Sequence, residues 1–574
     1  MQDDEATRIR ALLSAANAPR VINLVGPVGS GKSAILGGLA TEVTVLDDVH
    51  GEADLGGLVL PDAPILIASR RPLPAYRSWN PAGPVATVEV GPWPDDRISA
   101  LLGGAPASGP EYHDNVLRLA GGNPLLAIAL SRTPLTLPGL EAPGAMADGA
   151  ARQVLDRLAG EAAGIDQALL LVAAVGQCDE DLLVQLGQGP AFAGLLGSSV
   201  IIPLAHGLAV VEPFRTVFDL ALRWRAPVSY QTALTLAAAH HTRLLSTDPD
   251  RAARSDRVVQ SLFLTVGGGV RSMFAPVTAP VHIRPARAED ERDLGRLIRL
   301  RSTRGDIDPR QSERQNIAWL HELPEGVHVV CDEEDRPVGM TGIVPITDHT
   351  VSTLEPVLQQ HAETAAAGGV FLGTALYDER YPAARTALFR FIIATSFQYG
   401  RLVISTPTSE YQQVSTRLGF HAHGPLRHDV FGGPLPTQVY SQSFTTEALS
   451  GWLDRLRGPR LAPVLPDDTQ WAIGHLREAL EHLDRPLRLA RSPLLAVVGD
   501  PATLRDLLRG GIRDLANSTI PAEAEAGQIL TLYYLDRTGG HEFIAHRLHL
   551  SRATYYRRLN QGLEQLTRPL LAMT

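Results

Sequence analysis

The spacing of apolar and polar positions changes several times along the chain, and each change marks a different kind of unit. Near the start, the unbroken apolar run Val21-Ile22-Asn23-Leu24-Val25 reads as a buried strand, and residues 34–40 after it suit a helix. Two further runs, Val43-Thr44-Val45-Leu46 and Pro64-Ile65-Leu66-Ile67-Ala68-Ser69, repeat the strand signal. From about 145 to 270 the period becomes helical, as in Ala168-Leu169-Leu170-Leu171-Val172-Ala173-Ala174-Val175. Within that stretch, residues 200–202 and 207–211 read as a small hairpin after a helix end. From Val281 the pattern changes to a short strand, a helix through Leu300, and strands at 326–331 and 337–345. An inserted helical piece at 354–367, a strand at 370–377, a long helix to Gly400 and a strand at 402–406 follow. A proline-rich linker, 459–466, precedes a last, largely helical region.

Length and charge narrow this picture. A chain of 574 residues holds roughly three to five domains, each large enough for its own core. The net charge of −10 excludes a protein basic throughout, so any nucleic-acid contact must come from a local patch. Cys178 and Cys331 lie far apart with no second ligand set near them in sequence, which reads as two buried thiols in a reducing compartment. The acidic start Met1-Gln2-Asp3-Asp4-Glu5 leads into no apolar signal region. The most apolar stretch, 195–222, is broken by Pro203, His206, Glu212 and Arg215. The expectation is a cytoplasmic protein with no membrane partner.

One residue type carries unusual information. Of the 52 lysines and arginines only Lys32 is a lysine, and it lies in Gly26-Pro27-Val28-Gly29-Ser30-Gly31-Lys32-Ser33. A compact ammonium reaches between the β- and γ-phosphates of a nucleotide where a planar guanidinium does not fit. Gly26, Gly29 and Gly31 let backbone N–H groups close on an anion at a helix N-terminus, and the Ser33 hydroxyl is a ligand for Mg²⁺. The next strand ends in Asp47-Asp48; Asp47 is the expected Mg²⁺ partner and Asp48 the residue that orients water. The third strand runs into Arg70-Arg71, with Arg70 as a γ-phosphate sensor.

The order of these motifs, followed by Leu119-Ala120-Gly121-Gly122-Asn123-Pro124-Leu125, resembles the STAND ATPases, the signal-transducing branch of the AAA-like P-loop proteins. The resemblance spans roughly residues 1–270 and implies ATP and Mg²⁺ as cofactors, with Pro124 against the adenine. It also implies a winged-helix unit after the ATPase core and makes a homo-oligomer an expectation. The usual strand and helix between the lysine loop and the acidic strand are missing, so the sheet should be reduced; this does not favour fast hydrolysis. His240-His241 reads as a pair on a helix surface, because neighbours on a helix point apart and no acid or histidine lies at i+4.

The pattern from Val281 through Leu418-Gly419-Phe420 resembles the GNAT acetyltransferase fold over about 150 residues. That family cradles acyl-CoA pyrophosphate on a glycine-rich turn after its fourth strand. Here the turn reads Glu379-Arg380-Tyr381-Pro382-Ala383-Ala384-Arg385, without glycine, and Pro382 removes an N–H donor. The position of the family's frequent general-acid tyrosine is Ser415. A sensor for a small anionic or acyl-CoA-like ligand, gripped by Arg380 and Arg385, or a purely structural relic, is expected before an acyltransferase.

At the end of the chain, Ile544, Leu548, Leu550, Tyr555, Leu559 and Leu563 recur where a helix-turn-helix buries its core, with small Ala545 at the crossing and Ser551 as N-cap. Arg552, Tyr556, Arg557 and Asn560 are left on the outer face of the second helix. Residues 541–574 hold five arginines against two glutamates. The segment resembles helix-turn-helix domains of sigma-factor region four, which implies DNA as partner.

The fold class expected is therefore multidomain α/β and α. A reduced P-loop ATPase domain (1–140) leads into a helical and winged-helix relay (141–275) and a GNAT-like α+β domain (276–445). An all-α C-terminal domain (460–574) carries the helix-turn-helix at 541–566. Together these imply an ATP-dependent transcriptional regulator of STAND type. The alternatives are an acyl-CoA-dependent N-acyltransferase regulated by the ATPase module, or a STAND scaffold that does not bind DNA.

Overall fold

The computed structural model describes residues 3–15, 17–49, 63–73, 85–103, 110–132, 143–159, 161, 164–265, 268–305, 308–428, 430, 435–457, 469–484, 489, 492, 494 and 501–572. The proline-rich linker at 459–466 and the domain boundary at 140/141 lie outside them. The protein is a multidomain α/β structure with two larger sheets, a small hairpin and many helices. It divides into two compact units, Met1–Leu453 and Asp454–Thr574.

The first sheet has four strands, β1 (Val21–Val25), β2 (Thr44–Val49), β3 (Ile65–Ser69) and β4 (Val85–Glu89), in the order β2-β3-β1-β4 and parallel throughout. β1 and β3 are buried along their whole length, which explains why their sequences are unbroken apolar runs. The exception in β1 is Asn23, fully buried. Its amide donates to Ile67 O (3.1 Å) and Ser69 Oγ (2.8 Å) and accepts from Leu73 N–H (2.9 Å), so β1 is tied to the end of β3 by side-chain as well as ladder bonds. β4 was not read from the sequence. The acidic pair is not beyond a strand that stops at Leu46: β2 runs on to Val49, with a register shift at Leu46/Val49 and Asp48 at φ 63°.

The chain turns from β1 into helix α1 (Lys32–Leu39), and further on α2 (Pro124–Ser131) begins beside the same turn. The helical region is anchored by α3 (Pro143–Leu158) and α4 (Phe214–Arg225). Buried Asp148 of α3 accepts from Arg225 Nε of α4 at 2.7 Å. Between them stands the antiparallel hairpin of β5 (Ile201–Leu204) and β6 (Gly207–Val210). Two long helices, α5 (Pro227–Thr247) and α6 (Arg251–Thr265), complete this part.

The second sheet has seven strands: β7 (His282–Pro285), β8 (Val327–Cys331), β9 (Pro337–Pro345), β10 (Val370–Tyr377), β11 (Arg401–Thr406), β12 (His421–Pro425) and β13 (Gln438–Ser443). Their order is β12-β13-β11-β10-β9-β8-β7. All neighbours are antiparallel except β10 and β11, joined by the crossover helix α8 (Pro382–Tyr399), while α7 (Glu291–Gly305) follows β7 and α9 (Ser409–Arg417) follows β11. Pairing of the parallel strands stops after Val370↔Leu402, Phe371↔Val403 and Leu372↔Ile404, at a register irregularity around Gly373. A side chain at Gly373 would put its Cβ 1.9 Å from the Trp319 ring, so the indole takes that space. Arg390 of α8 bonds Asp256 of α6 and donates to Phe274 O (2.9 Å), which fastens the seven-stranded part to the helical one.

In the second unit, α10 (Thr469–Glu481), α11 (Pro521–Leu530), α12 (His541–Arg547) and α13 (Arg552–Ala572) surround a core that includes Leu480, Ile529, Ile544, Tyr555, Leu559 and Leu563. Four residues separate α12 from α13. Thr554 N–H donates to Ser551 Oγ at 3.2 Å, which caps α13. Among the described residues no helix is long and apolar enough to cross a membrane.

Candidate functional site

Parallel alignment puts the C-terminal ends of β1, β3 and β2 level: Val25 pairs with Ser69, and Ser69 with Val49. The glycine loop, Arg70 and Asp47-Asp48 therefore emerge at one edge, where open parallel sheets bind ligands. Gly29 (φ 76°) and Gly31 (φ 96°) adopt the left-handed conformation, and neither has room for a side chain. A Cβ on Gly29 would lie 2.3 Å from Leu125 Cβ, and one on Gly31 would lie 2.8 Å from the Trp93 ring. The loop is closed from behind by the start of α2. Asn123 Nδ2 donates to Val28 O (2.8 Å), Leu125 N–H donates to Gly29 O (3.2 Å), and Pro124 begins the helix, buried.

Lys32 is buried, and its ammonium donates to Gly26 O (2.7 Å) and Pro27 O (3.0 Å). Burial, and then the Arg70 charge, pull its pKa down from 10.5 to about 8, against the opposing pull of Asp47, Asp48 and Glu161. Two neutral carbonyls are weak compensation for a buried cation, so this ammonium gains from an anion brought to it. The first amides of α1 have no acceptor within the helix, and Ser30 Oγ and Trp93 Nε1 are buried without a partner among the described residues. This donor set suits a polyphosphate. Ser33, Asp47 and Asp48 present exposed side-chain oxygens of the kind that could hold Mg²⁺, with Asp47 Oδ1 also accepting Asp48 N–H (2.8 Å).

Arg70 and Arg71 do more than the sequence indicates. Arg70 Nη2 lies 3.6 Å from Asp48, and its guanidinium is ion-paired with Glu161, both side chains being almost fully buried. Glu161 also accepts from Ser199 N–H (2.6 Å) and Ser199 Oγ (2.7 Å), just before β5. Arg71 donates to Leu196 O and Ser198 O at 2.9 and 2.6 Å. The end of β3 thus clamps the helical region and its hairpin against the phosphate-loop edge. Nothing in the local pattern around 70 or 161 reveals this pair, because it depends on a contact ninety-one residues apart.

The His240-His241 pair is not at a helix surface: both rings are buried. His240 Nε2 faces Asp179 Oδ2 at 2.9 Å, and Arg257 is beside both Asp179 and His241. The acidic partner is the N-cap residue before another helix, 61 positions away, which an i+4 search within α5 cannot find. Both cysteines are free and buried, as read. Cys331 does lie near His282 and Asp335. However, Asp335 is held by Arg284, His282 and Arg287, the hydrogen bonds from Arg284 and His282 keep its carboxyl well below the usual range, and burial pushes the Cys331 thiol up to about 11. A protonated thiol and an arginine-bound carboxylate make a poor cation site.

The turn at 379–385 is occupied by its own charges. Asp378 accepts from Arg380 N–H (3.1 Å) and pairs with Arg380 (2.6 Å) and Arg296 (3.3 Å), with its pKa lowered to about 2. Arg380 is therefore not free for a ligand. Arg385 lies 3.7 Å from Glu410, which Arg301 contacts at 2.6 Å. Where β10 and β11 part, a largely apolar cavity opens, with Arg301 and Tyr411 among its walls and Ser415 within it.

On α13, Arg552, Tyr556, Arg557 and Asn560 are exposed, and Asn560 Oδ1 accepts from Arg477 of α10 at 2.7 Å. Arg558, the neighbour on the other side, is paired with Glu525 (2.8 Å). His541 stacks on Tyr533 and bonds Tyr555 Oη, which ties the start of α12 to the core.

No family model matches this chain, and no curated protein does. Several solved structures are similar to part of this chain. A histone acetyltransferase HPA2 and related acetyltransferase from Corynebacterium glutamicum is 16% identical over 28% of this chain and 95% of its own (TM-score 0.21). FeeM, an N-acyl amino acid synthase from uncultured soil microbes, is 15% identical over 29% and 92% (TM-score 0.23). Drosophila melanogaster polyamine N acetyltransferase is 12% identical over 28% and 99% (TM-score 0.21). Likenesses of this size, over less than a third of the chain, do not bear on function.

Proposed function

We propose that the protein is an ATP-dependent switch of STAND type that regulates transcription in the cytoplasm. In this reading its seven-stranded part is a GNAT-like sensor and its C-terminal helix-turn-helix binds DNA. The observation that carries the reading is the Arg70–Glu161 pair at the edge that also holds Lys32, Asp47 and Asp48. A γ-phosphate delivered to that edge competes with Glu161 for Arg70. Loss of Glu161 from Arg70 loosens the grip on Ser199, so the nucleotide state is passed to the helical region. Lys32 and the loop amides would hold the phosphates, Ser33 and Asp47 the Mg²⁺, Asp48 a water, and Pro124 the base. Arg552, Tyr556, Arg557 and Asn560 would meet phosphates or base edges.

The test measures binding of the full chain to genomic DNA fragments with ATP–Mg²⁺, with ADP and without nucleotide, for the native protein, Lys32→Ala and Arg557→Ala. The expected result is nucleotide-dependent DNA retention that Lys32→Ala uncouples and Arg557→Ala weakens, with the salt slope reduced by about one. Retention indifferent to nucleotide and to both substitutions would end this reading. A second reading, an N-acyltransferase, is favoured by the cavity between β10 and β11 and opposed by the Asp378 carboxylate at the turn. Multiple-turnover release of CoA from an acyl-CoA would establish it.

A further inference from the structure

The cavity where β10 and β11 separate has an unequal distribution of chemistry. Its interior is aliphatic and aromatic, with Phe389, Ile393, Leu418 and Phe420 among the side chains that form it. At one side stand Arg301 and Tyr411. Tyr411 is partly buried, its hydroxyl donates to Ala375 O, and desolvation holds the phenol protonated far above its ordinary range, so it brings no negative charge. Arg301 is mostly buried beneath α9, contacts Glu410 at 2.6 Å, and has its Nε without a partner among the described residues. Arg385 lies on the same glutamate at 3.7 Å, and its Nε is likewise buried and unpartnered. Two guanidinium groups thus share one carboxylate. The other acids nearby, Asp378 and the exposed Glu379, lie at the turn.

An apolar cavity with a surplus cation at its side selects an amphipathic anion. The turn next to it argues against the pyrophosphate of a coenzyme thioester. Asp378 is ionised, already takes the Arg380 amide, and would repel a second anion, while Pro382 has no N–H to give. A free carboxylic acid with an unbranched alkyl chain needs only the cavity and Arg301.

One wall comes from outside the seven-stranded part. Phe274, fully buried, lines the cavity, and its carbonyl oxygen accepts from Arg390, which also pairs with Asp256 of α6. A ligand in the cavity therefore touches a residue whose backbone is bonded into the junction with the helical region. We infer that this cavity is an effector site for a medium-chain fatty carboxylate, its acid group on Arg301 and its chain among Phe389, Ile393 and Phe420, and that Phe274 passes occupancy to the helical region. This names the signal for the switch proposed above and rests on that reading only for its consequence, not for the binding itself.

The test is calorimetric titration of the full chain, without nucleotide, with decanoate, decanol and decanoyl-CoA. Decanoate is expected to bind saturably and at least tenfold more tightly than decanol. Arg301→Gln should remove that preference, and Arg301→Lys should restore part of it. Glu410→Gln, which releases Arg301 from its partner, should tighten decanoate binding severalfold, a gain that a misfolded variant does not produce. Phe274→Ala, which removes part of the cavity wall, should weaken decanoate binding and, at saturating decanoate, abolish any effect of decanoate on ATP affinity. Lys32→Ala should leave decanoate binding unchanged, so failure of the ATP switch and failure of this site are read separately. Absence of saturable decanoate binding, equal affinity for decanol, or tighter decanoyl-CoA binding with release of CoA would each overturn the assignment.

Discussion

Two places in the chain make the same local move: a parallel strand ends, a turn follows, and a helix begins. At β1 to α1 and at β10 to α8 the backbone geometry invites an anion, yet the two turns are furnished in opposite ways. The first has Gly29 and Gly31 with positive φ, a buried lysine resting on neutral carbonyls, and the open N-terminus of a helix. The second has Pro382, no glycine, and an ionised Asp378 that takes the Arg380 amide and two guanidinium groups. A strand-turn-helix topology therefore does not make a phosphate site. The balance of unspent donors against resident carboxylates decides it.

Three substitutions sharpen this contrast, in descending order of effect. Gly29→Val should lower ATP affinity by about 100-fold or more and also destabilise the fold, because its Cβ would collide with Leu125 at a φ that β-branched residues avoid. Isothermal titration and a thermal melt read both effects; an unchanged affinity would mean the loop does not hold the nucleotide. Glu161→Gln should raise ATP affinity about tenfold. It removes the charge that competes for Arg70 while leaving an amide oxygen for Ser199. Weaker ATP binding in this variant would show that Glu161 supports the site instead of competing with its ligand. Asp378→Asn should give the second turn a measurable but weak affinity for inorganic pyrophosphate, within about tenfold of the detection limit by titration, since it frees Arg296 and Arg380 from a carboxylate. If pyrophosphate still does not bind, the missing glycines and Pro382 are the greater obstacle.

Protonation of Lys32 adds a separate check. Its pKa is lowered by burial from 10.5 to about 8 in the folded chain. Between about pH 8 and 10.5 the unfolded state binds more protons than the folded one, so the ligand-free protein gains stability as pH rises through that window. ATP needs the ammonium, so its affinity should fall over the same range, by at most about tenfold per pH unit. Opposite trends in melting temperature and ATP affinity above pH 8 are the expected signature. Parallel trends would place the titrating group elsewhere.

The elements most legible in sequence were those with a local cause. The apolar run of β1, the glycine loop, the Ser551 cap and the apolar positions of α12 and α13 each announce themselves within a few residues. β4, β12 and β13 did not. Val85-Ala86-Thr87-Val88-Glu89 is too short and mixed to stand out, and His421-Ala422-His423-Gly424-Pro425 has neither alternation nor an apolar run. The contacts that give the sites their character were less visible still. Glu161 on Arg70, Asp179 on His240 and Asn123 on Val28 join residues 61 to 95 positions apart. No period in the sequence encodes such pairs; they exist because buried polar groups must find partners wherever packing brings them together.

Lys32 gives the most direct test of the central claim, because it is the single lysine of the sequence. Its lowered pKa also leaves a larger neutral fraction for reaction with amine-acylating reagents than an ordinary lysine has. The full chain is treated with a mild acylating reagent with and without ATP–Mg²⁺, and acylation at Lys32 is followed by peptide mass spectrometry. The account predicts that ATP–Mg²⁺ protects Lys32 and that an equal concentration of decanoate does not. Equal labelling of Lys32 with and without ATP–Mg²⁺, at nucleotide concentrations that saturate any binding, would contradict it.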